Sequence, residues 1–384
     1  MHILYPIGTF YPAQSGGPSN SVYWLAKAMV REGVRVTVVA TATDQPGSTP
    51  RHCWVSSDAG RVRYVPSRFH NLPLGAIQQA WRLFPTADIV HLTSLFYPLS
   101  LVLGLLAIWQ RKVVVWSPRG ELAPAALATR PILKRAVLHL LARVTQAVTF
   151  HTTSPDETKQ VQACFGTTAR LIELPNYIDL PPRVAPPDTG QPTPYLLYLG
   201  RLHPIKALDR LLDALALSPV FGRGPWQLRL VGADTEGYGS LLRQQATDLG
   251  LADRVSFEAP VSGEAKQTLL AGAYALILPS HTENFGNVVV EALAQGTPVI
   301  ASTGTPWAIL PANEAGFWVP NHPTELARAL DTSLSLPAAT YGRYRQQASA
   351  LARQQFDSTT NSYRWLSTYQ ALTTNTLSSQ LCAE

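Results

Sequence analysis

Between Pro181 and Pro194 the chain reads Pro-Pro-Arg-Val-Ala-Pro-Pro-Asp-Thr-Gly-Gln-Pro-Thr-Pro. Proline at this density, with a glycine, extends neither a helix nor a strand, because ring closure removes the N–H and fixes φ. On either side, short apolar runs alternate with helical periodicity. Before the break the candidate strands are His2–Ile7, Arg35–Thr41, Val62–Val65, Ile89–Leu92, Val113–Trp116, Ala147–Phe150 and Leu171–Leu174. Helices are predicted between them, notably Ser19–Glu32, Pro98–Gln110, Pro131–Thr145 and Pro155–Phe165. After the break the strands are Tyr195–Leu199, Gln227–Val231, Val255–Glu258, Tyr274–Leu278, Val299–Ala301 and Gly316–Val319. The helices there are Lys206–Leu217, Tyr238–Leu249, Gly263–Ala273, Gly286–Gln295 and Pro323–Leu334, with Tyr341–Gln355 and Asn361–Thr373 closing the chain. Such alternation predicts parallel sheets covered by helices on both faces. The expected organisation is two α/β domains, 1–180 and 195–355, joined by a linker at 181–194. They should face each other across a cleft, with a C-terminal helix at 356–384.

A length of 384 residues exceeds what one core usually holds, in keeping with two domains. Cys53, Cys164 and Cys382 are too few and too scattered for a disulfide framework or a zinc site, which suits a reducing, cytoplasmic setting. Met1 runs directly into an apolar strand without a basic leader, so no signal peptide is expected. The longest apolar run, Leu95 to Trp109, contains Pro98 and is shorter than the ~20 residues a membrane span needs. Residues 1–180 hold 17 Lys/Arg against 9 Asp/Glu, whereas the remainder hold 14 against 16. A basic first half suggests an anionic partner. Basic and aromatic residues are not interleaved and no recognition motif is present, which argues against nucleic acid.

The stretch Leu278 to Val299 carries the chemistry. Pro279-Ser280-His281-Thr282-Glu283-Asn284-Phe285-Gly286-Asn287 follows a strand, and a helix then carries Glu291. Two carboxylates eight residues apart are by themselves ordinary surface residues. Here they stand at the carboxyl end of a strand, where open α/β sheets bind ligands. Helix N-termini favour phosphate, and carboxylates accept hydrogen bonds from sugar hydroxyls. After the second domain's first strand, Arg201 and Lys206 straddle a turn into a helix. A cation near a helix N-terminus opposes the helix dipole unless an anion offsets it. Ser15-Gly16-Gly17 after the first strand reads either as a plain turn or as a close approach to a ligand.

Together, Gly200-Arg201-Leu202…Lys206, Glu283-Asn284-Phe285-Gly286…Glu291 and Gln295-Gly296-Thr297-Pro298 resemble the family 4 retaining glycosyltransferases of GT-B fold. Ser15-Gly16-Gly17 and Leu174-Pro175-Asn176-Tyr177-Ile178-Asp179 agree, and the resemblance covers nearly the whole chain. It implies two Rossmann-like domains, the first binding acceptor and the second nucleotide-sugar, with the C-terminal helix crossing back to the first. Arg201, Lys206 and Glu283 would be the catalytic set. Gly16, Gly17, Asn284, Phe285, Gly286, Asn287 and Glu291 would bind the donor, with Glu291 on the ribose. The proton of the acceptor would pass to a donor phosphate oxygen on one face, without cofactor or metal. Ala207 departs from the family pattern, in which a glycine commonly follows the lysine; little consequence is expected.

On the acceptor side, Trp116-Ser117-Pro118-Arg119-Gly120-Glu121 ends a strand, and relatives often carry histidine where this chain has Arg119. Arg119 could hold an acceptor anion, and Glu121 could simply cap a helix. His151 also ends a strand, either as an acceptor-side residue or as a structural one. Residues 130–143 carry four Lys/Arg and no acid, with Arg135, His139 and Arg143 recurring every four positions. That stripe suits either an anionic membrane surface or an ordinary solvated face. The reading is a sugar transferase acting on a glycan or lipid-linked glycan in cell-surface polysaccharide or lipopolysaccharide biosynthesis. A nucleotide-sugar epimerase of the same architecture and a non-catalytic sugar-nucleotide binder are the alternatives. A dinucleotide oxidoreductase would need a Gly-x-Gly-x-x-Gly turn that neither half has.

Overall fold

The computed structural model describes residues 1–13, 17–67, 72–184, 193–234 and 236–381. They form two units, Met1–Asp179 with Asp357–Glu384, and Leu180–Phe356. The first unit contains β1 (His2–Ile7), β2 (Arg35–Thr41), β3 (Trp54–Ser57), β4 (Gly60–Val65), β5 (Ile89–Thr93), β6 (Val113–Ser117), β7 (Val148–Thr152) and β8 (Arg170–Glu173). Their order is β3-β4-β2-β1-β5-β6-β7-β8, with β3 antiparallel to β4 and every other neighbouring pair parallel. The second unit contains β9 (Tyr195–Leu199), β10 (Gln227–Val231), β11 (Val255–Glu258), β12 (Ala275–Leu278), β13 (Val299–Ser302) and β14 (Gly316–Val319). All its pairs are parallel, in the order β11-β10-β9-β12-β13-β14. Helices on both faces bury such strands completely, so β12 and, after His2, β1 are continuous apolar runs, and neither has an exposed position.

The predicted strands sit within about two residues of their observed ends, and the differences have local causes. Trp54–Ser57 was not predicted: it is a short edge strand, half exposed, folded back on β4 around Asp58 and Ala59. The helix Leu74–Trp81 was also missed. It buries Ala76 and Ala80 while Leu74 and Trp81 are exposed, which inverts the pattern that marks a buried face. The helix expected from Lys206 begins at Leu208, after a 3-10 turn at Pro204–Lys206.

Residues 185–192 of the expected linker lie outside the described set. Its first residues pack on the second unit, where Val184 N–H donates to Gln295 Oε1 at 2.8 Å and Gln295 Nε2 donates to Pro182 O at 3.2 Å. The last helix, Ser358–Leu381, belongs to the first unit and buries Trp365 and Tyr369 in its core. Its entry is fixed by Ser358 N–H donating to Ile178 O at 2.9 Å. Beside it Asp179 pairs with Lys27 at 3.1 Å and Arg31 at 2.9 Å. Among the described residues no helix is long and apolar enough to cross a membrane.

Candidate functional site

In the second sheet the strand order reverses between β9 and β12. The loops after these two strands carry the motifs, at the sheet edge where open α/β folds bind ligands. Behind Arg201 the backbone is fixed by Tyr198 O–H donating to Arg201 O at 2.7 Å and Leu202 N–H donating to Ala233 O at 2.9 Å. The Arg201 side chain itself is exposed. His203 Nδ1 accepts from Ile205 N–H at 3.1 Å and caps the turn that ends in Lys206.

The two loops are tied together. His281 N–H donates to Ile205 O at 2.9 Å, and Lys206 Nζ forms a short ion pair with Glu283 Oε2. A third loop joins them: Glu283 N–H donates to Gly304 O, after β13, at 2.9 Å. A Cβ at Gly304 would stand 2.2 Å from His281 O, so only glycine permits this approach.

Gly286 then turns the chain into the helix Asn287–Ala294, one residue later than expected. Its φ of +78° is left-handed, and a Cβ there would meet Leu278 at 3.2 Å and Glu283 at 3.3 Å. Phe285 is buried against Trp307 and Phe356, with ring centroids 5.3 and 5.8 Å away, while Trp307 Nε1–H donates to Phe285 O at 2.6 Å. Phe285 therefore turns its ring into the core beneath the turn and leaves its backbone in the loop. Asn284 and Asn287, both partly buried, flank the turn. The first N–H groups of a helix have no acceptor within it, which makes this entry a natural anion seat. Glu291 Oε1 accepts from Lys266 Nζ at 2.7 Å, from the helix Gly263–Gly272. Lys266 had no signal in the sequence, because only the tertiary fold brings it to Glu291.

Ala207 sits at φ +52° and ψ +42° as the residue before the helix Leu208–Leu217. The departure from glycine thus puts an L-residue with a side chain into a left-handed backbone conformation. A left-handed conformation costs an L-residue roughly 1–2 kcal/mol, which partly cancels against the extra freedom glycine gives the unfolded chain. Ala207→Gly is expected to leave stability unchanged or raise it by up to ~1 kcal/mol, whereas the same change inside a helix costs ~1 kcal/mol. Urea midpoints check this, and a loss near the helical value would contradict it.

In the first unit the strand order reverses between β1 and β5. A cavity of about 440 Å³ lies there, lined among others by Thr41, Thr93, Ser94, Tyr97, Arg119 and Glu121. Gly16 and Ser15 lie outside the described residues; Gly17 opens the helix Gly17–Arg31 beside Pro18, another lining residue. Arg119 has φ +58° and Gly120 φ +80°, a left-handed pair that turns the chain out of β6. The turn is held by Glu157, which is 2% exposed and accepts from Gly120 N–H at 2.8 Å and Thr153 N–H at 2.8 Å. Arg119 Nη1 donates to Asn176 Oδ1 at 2.7 Å, while its buried Nε has no partner among the described residues. Burial lowers the guanidinium pKa, with Glu157 acting against that shift.

Glu121 does not cap the helix that follows it. It accepts from Ser94 O–H at 2.5 Å and Leu95 N–H at 2.6 Å, and burial raises its pKa above the usual carboxylate range. The sequence offered a signal for Glu157, since Ser154-Pro155-Asp156-Glu157 is a capping box whose Ser154 Oγ accepts from Glu157 N–H at 3.3 Å.

His151 is corrected from an acceptor-side residue to an internal one. It is 1% exposed, its Nδ1 lies 2.8 Å from Ser117 Oγ and its Nε2 2.9 Å from Leu174 O. With both nitrogens engaged inside the protein, nothing is left to meet a ligand. Burial holds its pKa well below the usual histidine value, and Arg119 adds to the shift.

The basic segment forms the helix Pro131–Ala142, and it is not buried as an apolar helix would be: only Leu141 is buried. Ile132 is 84% and Leu133 61% exposed, beside exposed Arg130, Arg135, His139 and Arg143. Lys134 is used internally, donating to Ala126 O at 2.6 Å and Thr129 Oγ1 at 2.9 Å. Among the described residues no group of three or more His, Cys, Asp or Glu side chains is placed to hold a metal ion.

Residues 186–355 match the family model "Glycosyl transferases group 1", and residues 16–177 match "Glycosyl transferase 4-like domain". The chain is 30% identical over 322 residues to D-inositol 3-phosphate glycosyltransferase of Geodermatophilus obscurus, covering 75% of this chain and 70% of that protein. It is 38% identical over 157 residues to the Streptomyces griseus protein of the same name, there covering 37% of this chain and 32% of the relative. Sucrose-phosphate synthase from Thermosynechococcus elongatus has a similar fold, with a TM-score of 0.78 at 21% identity over 97% of this chain and 99% of that one. So does Anabaena HepE in complex with UDP-glucose, with a TM-score of 0.76 at 21% identity over 97% and 100% of the two chains.

Proposed function

The chain belongs to the group 1 glycosyl transferases, family 4 of GT-B fold, and we propose that it moves a hexosyl unit from a nucleotide sugar to a glycan or lipid-linked glycan. The observation that carries this reading is the meeting of Lys206, Glu283 and the Glu291 helix at one strand-order reversal, with Arg201 on the adjoining loop. In this proposal Arg201 and Lys206 take the donor diphosphate and offset the charge that builds on it as the glycosyl bond breaks. Preorganised charge of that kind is often the largest catalytic contribution. Glu283 lies beside the transferred sugar, and Asn284, Phe285, Gly286 and Asn287 hold its hydroxyls and the diphosphate through the helix entry. Glu291, steadied by Lys266, takes the ribose hydroxyls.

Transfer then proceeds with retention, a donor phosphate oxygen accepting the acceptor's proton on the face where the bond forms. No protein nucleophile is required, unlike a double displacement with its paired carboxylates. The two cations supply the charge a divalent metal would otherwise give, so the reaction is proposed to be metal-independent. HepE is solved with UDP-glucose, which makes uridine diphosphate sugars the first donors to test, with GDP-sugars beside them.

On the acceptor side, Arg119 is proposed to hold an anion and the hydroxyl-lined cavity a polyol ring, as in a phosphorylated sugar alcohol or the head of a lipid-linked glycan. The inositol phosphate in the relatives' name is of that chemistry. The test is a panel of UDP- and GDP-sugars read by donor hydrolysis and thermal shift, followed by transfer to phosphorylated acceptors. Stabilisation by at least one nucleotide sugar and acceptor-dependent release of the nucleotide are expected. Conversion of the donor to an epimer without acceptor would refute the transferase reading.

Peripheral contact with an anionic membrane through residues 130–143 completes the proposal. Exposed Ile132 and Leu133 beside basic side chains suit an interfacial helix. Arg130, Arg135 and Arg143 changed together to Gln should weaken binding to anionic vesicles on the order of 100-fold, at roughly 1 kcal/mol for each charge. Lys134 is left out because it folds the helix rather than facing outward. Co-sedimentation checks the expectation, and a wild-type protein that stays in the supernatant at low salt contradicts it.

A further inference from the structure

Six residues of the first unit form one buried chain of hydrogen bonds. Tyr5 OH lies 3.0 Å from Tyr369 OH, and Tyr369 OH lies 2.6 Å from His91 Nδ1. His91 Nε2 lies 2.8 Å from Ser117 Oγ, which lies 2.8 Å from His151 Nδ1. His151 Nε2 ends the chain 2.9 Å from Leu174 O. The side chains come from β1, the C-terminal helix, β5, β6 and β7, and all are 1% exposed or less.

The terminal carbonyl fixes the direction of every bond. A carbonyl only accepts, so His151 carries its proton on Nε2, and its Nδ1 accepts from the Ser117 hydroxyl. With that proton committed, the Ser117 oxygen accepts from His91 Nε2–H. His91 Nδ1 then accepts from Tyr369 O–H, whose oxygen accepts from Tyr5 O–H. Two neutral imidazoles in one tautomer each satisfy the whole chain, and burial holds both pKa values well below the usual histidine value.

The far end of the chain borders Arg119 on both sides. Ser117 stands two residues before Arg119, and Leu174 two residues before Asn176, the acceptor of Arg119 Nη1. We propose that His91, His151 and Tyr369 are positioning residues for Arg119: the C-terminal helix, through the Tyr369 hydroxyl, sets the strand ends that hold the guanidinium at the cavity. This rests on the acceptor reading of Arg119 for its catalytic meaning, but the placement itself is testable without an acceptor.

The test compares Tyr369→Phe with Tyr5→Phe in the full chain, labelled with ¹⁵N histidine and arginine. Tyr5→Phe removes only the first donor and leaves the His91 bond intact; Tyr369→Phe removes the donor to His91. In the wild type both imidazoles should read as neutral Nε2–H tautomers, with a protected Arg119 Nε–H signal identified by its loss in Arg119→Lys. Tyr369→Phe should mix the His91 tautomers and speed exchange of the Arg119 Nε proton about tenfold, the size set by one lost buried hydrogen bond. Tyr5→Phe should leave both signals unchanged. Equal responses in the two variants, an Nδ1–H tautomer in the wild type, or an unmoved Arg119 signal in Tyr369→Phe would overturn the assignment. Ser117→Thr, which keeps the hydroxyl, should behave as wild type, and Ser117→Ala as Tyr369→Phe. The acceptor reading is judged separately, by the acceptor KM of Arg119→Ala.

Discussion

Lys206→Ala and Arg201→Ala are each expected to lower sugar transfer by at least ~100-fold, since each removes a preorganised charge from the departing diphosphate. Their double variant should lose less than the product of the single losses, because both cations act on one leaving group. For Lys206 the change has a second effect, leaving Glu283 without its ion-pair partner. Lys206→Ala combined with Glu283→Ala should therefore also fall short of additivity. Steady-state rates with a saturating nucleotide sugar check both statements. Turnover close to wild type in either single variant would remove the phosphate role from that residue.

Glu283→Ala and Glu291→Ala are expected to fail in different ways. Glu283 is proposed to stand by the reacting sugar, so its loss should appear mainly in kcat. Glu291 is proposed to hold the ribose, a part that does not change in the reaction, so its loss should appear mainly in binding. Calorimetry with the nucleoside diphosphate alone separates the two, since it contains the ribose and lacks the sugar. A drop in affinity of about tenfold or more is expected for Glu291→Ala, matching the loss of a charged hydrogen bond worth ~1.5–3 kcal/mol. Affinity within twofold of wild type is expected for Glu283→Ala, and the reverse pattern would exchange the two roles.

Much of this was legible in the sequence for a physical reason. Strands buried on both faces are continuous apolar runs, so β1, β9 and β12 stood out without any structure. The turn residues around Gly286 and the helix that follows are also local in sequence. What was not legible depended on distant partners. Lys266 meets Glu291 across 25 positions, and Glu157 meets Gly120 across 37. His151 showed only that it ends a strand; its burial among Ser117, Leu174 and the last helix decides that it cannot touch a ligand. Ala207 carried a sequence signal, the missing glycine, whose weight became clear only from its left-handed backbone. For Ile132 and Leu133 the sequence showed only an apolar helix with a basic stripe, and it took the fold to show that both side chains are exposed.

The second unit is proposed to hold a nucleotide-sugar diphosphate on Arg201 and Lys206. Calorimetric titration of UDP and of GDP into the wild type and into the Arg201→Ala/Lys206→Ala variant tests it most directly. At least one nucleotide should bind the wild type saturably and lose at least ~100-fold in affinity in the variant, as expected when two charged contacts to one group are removed. Equal binding to both proteins, or binding of neither nucleotide to the wild type, would contradict the account.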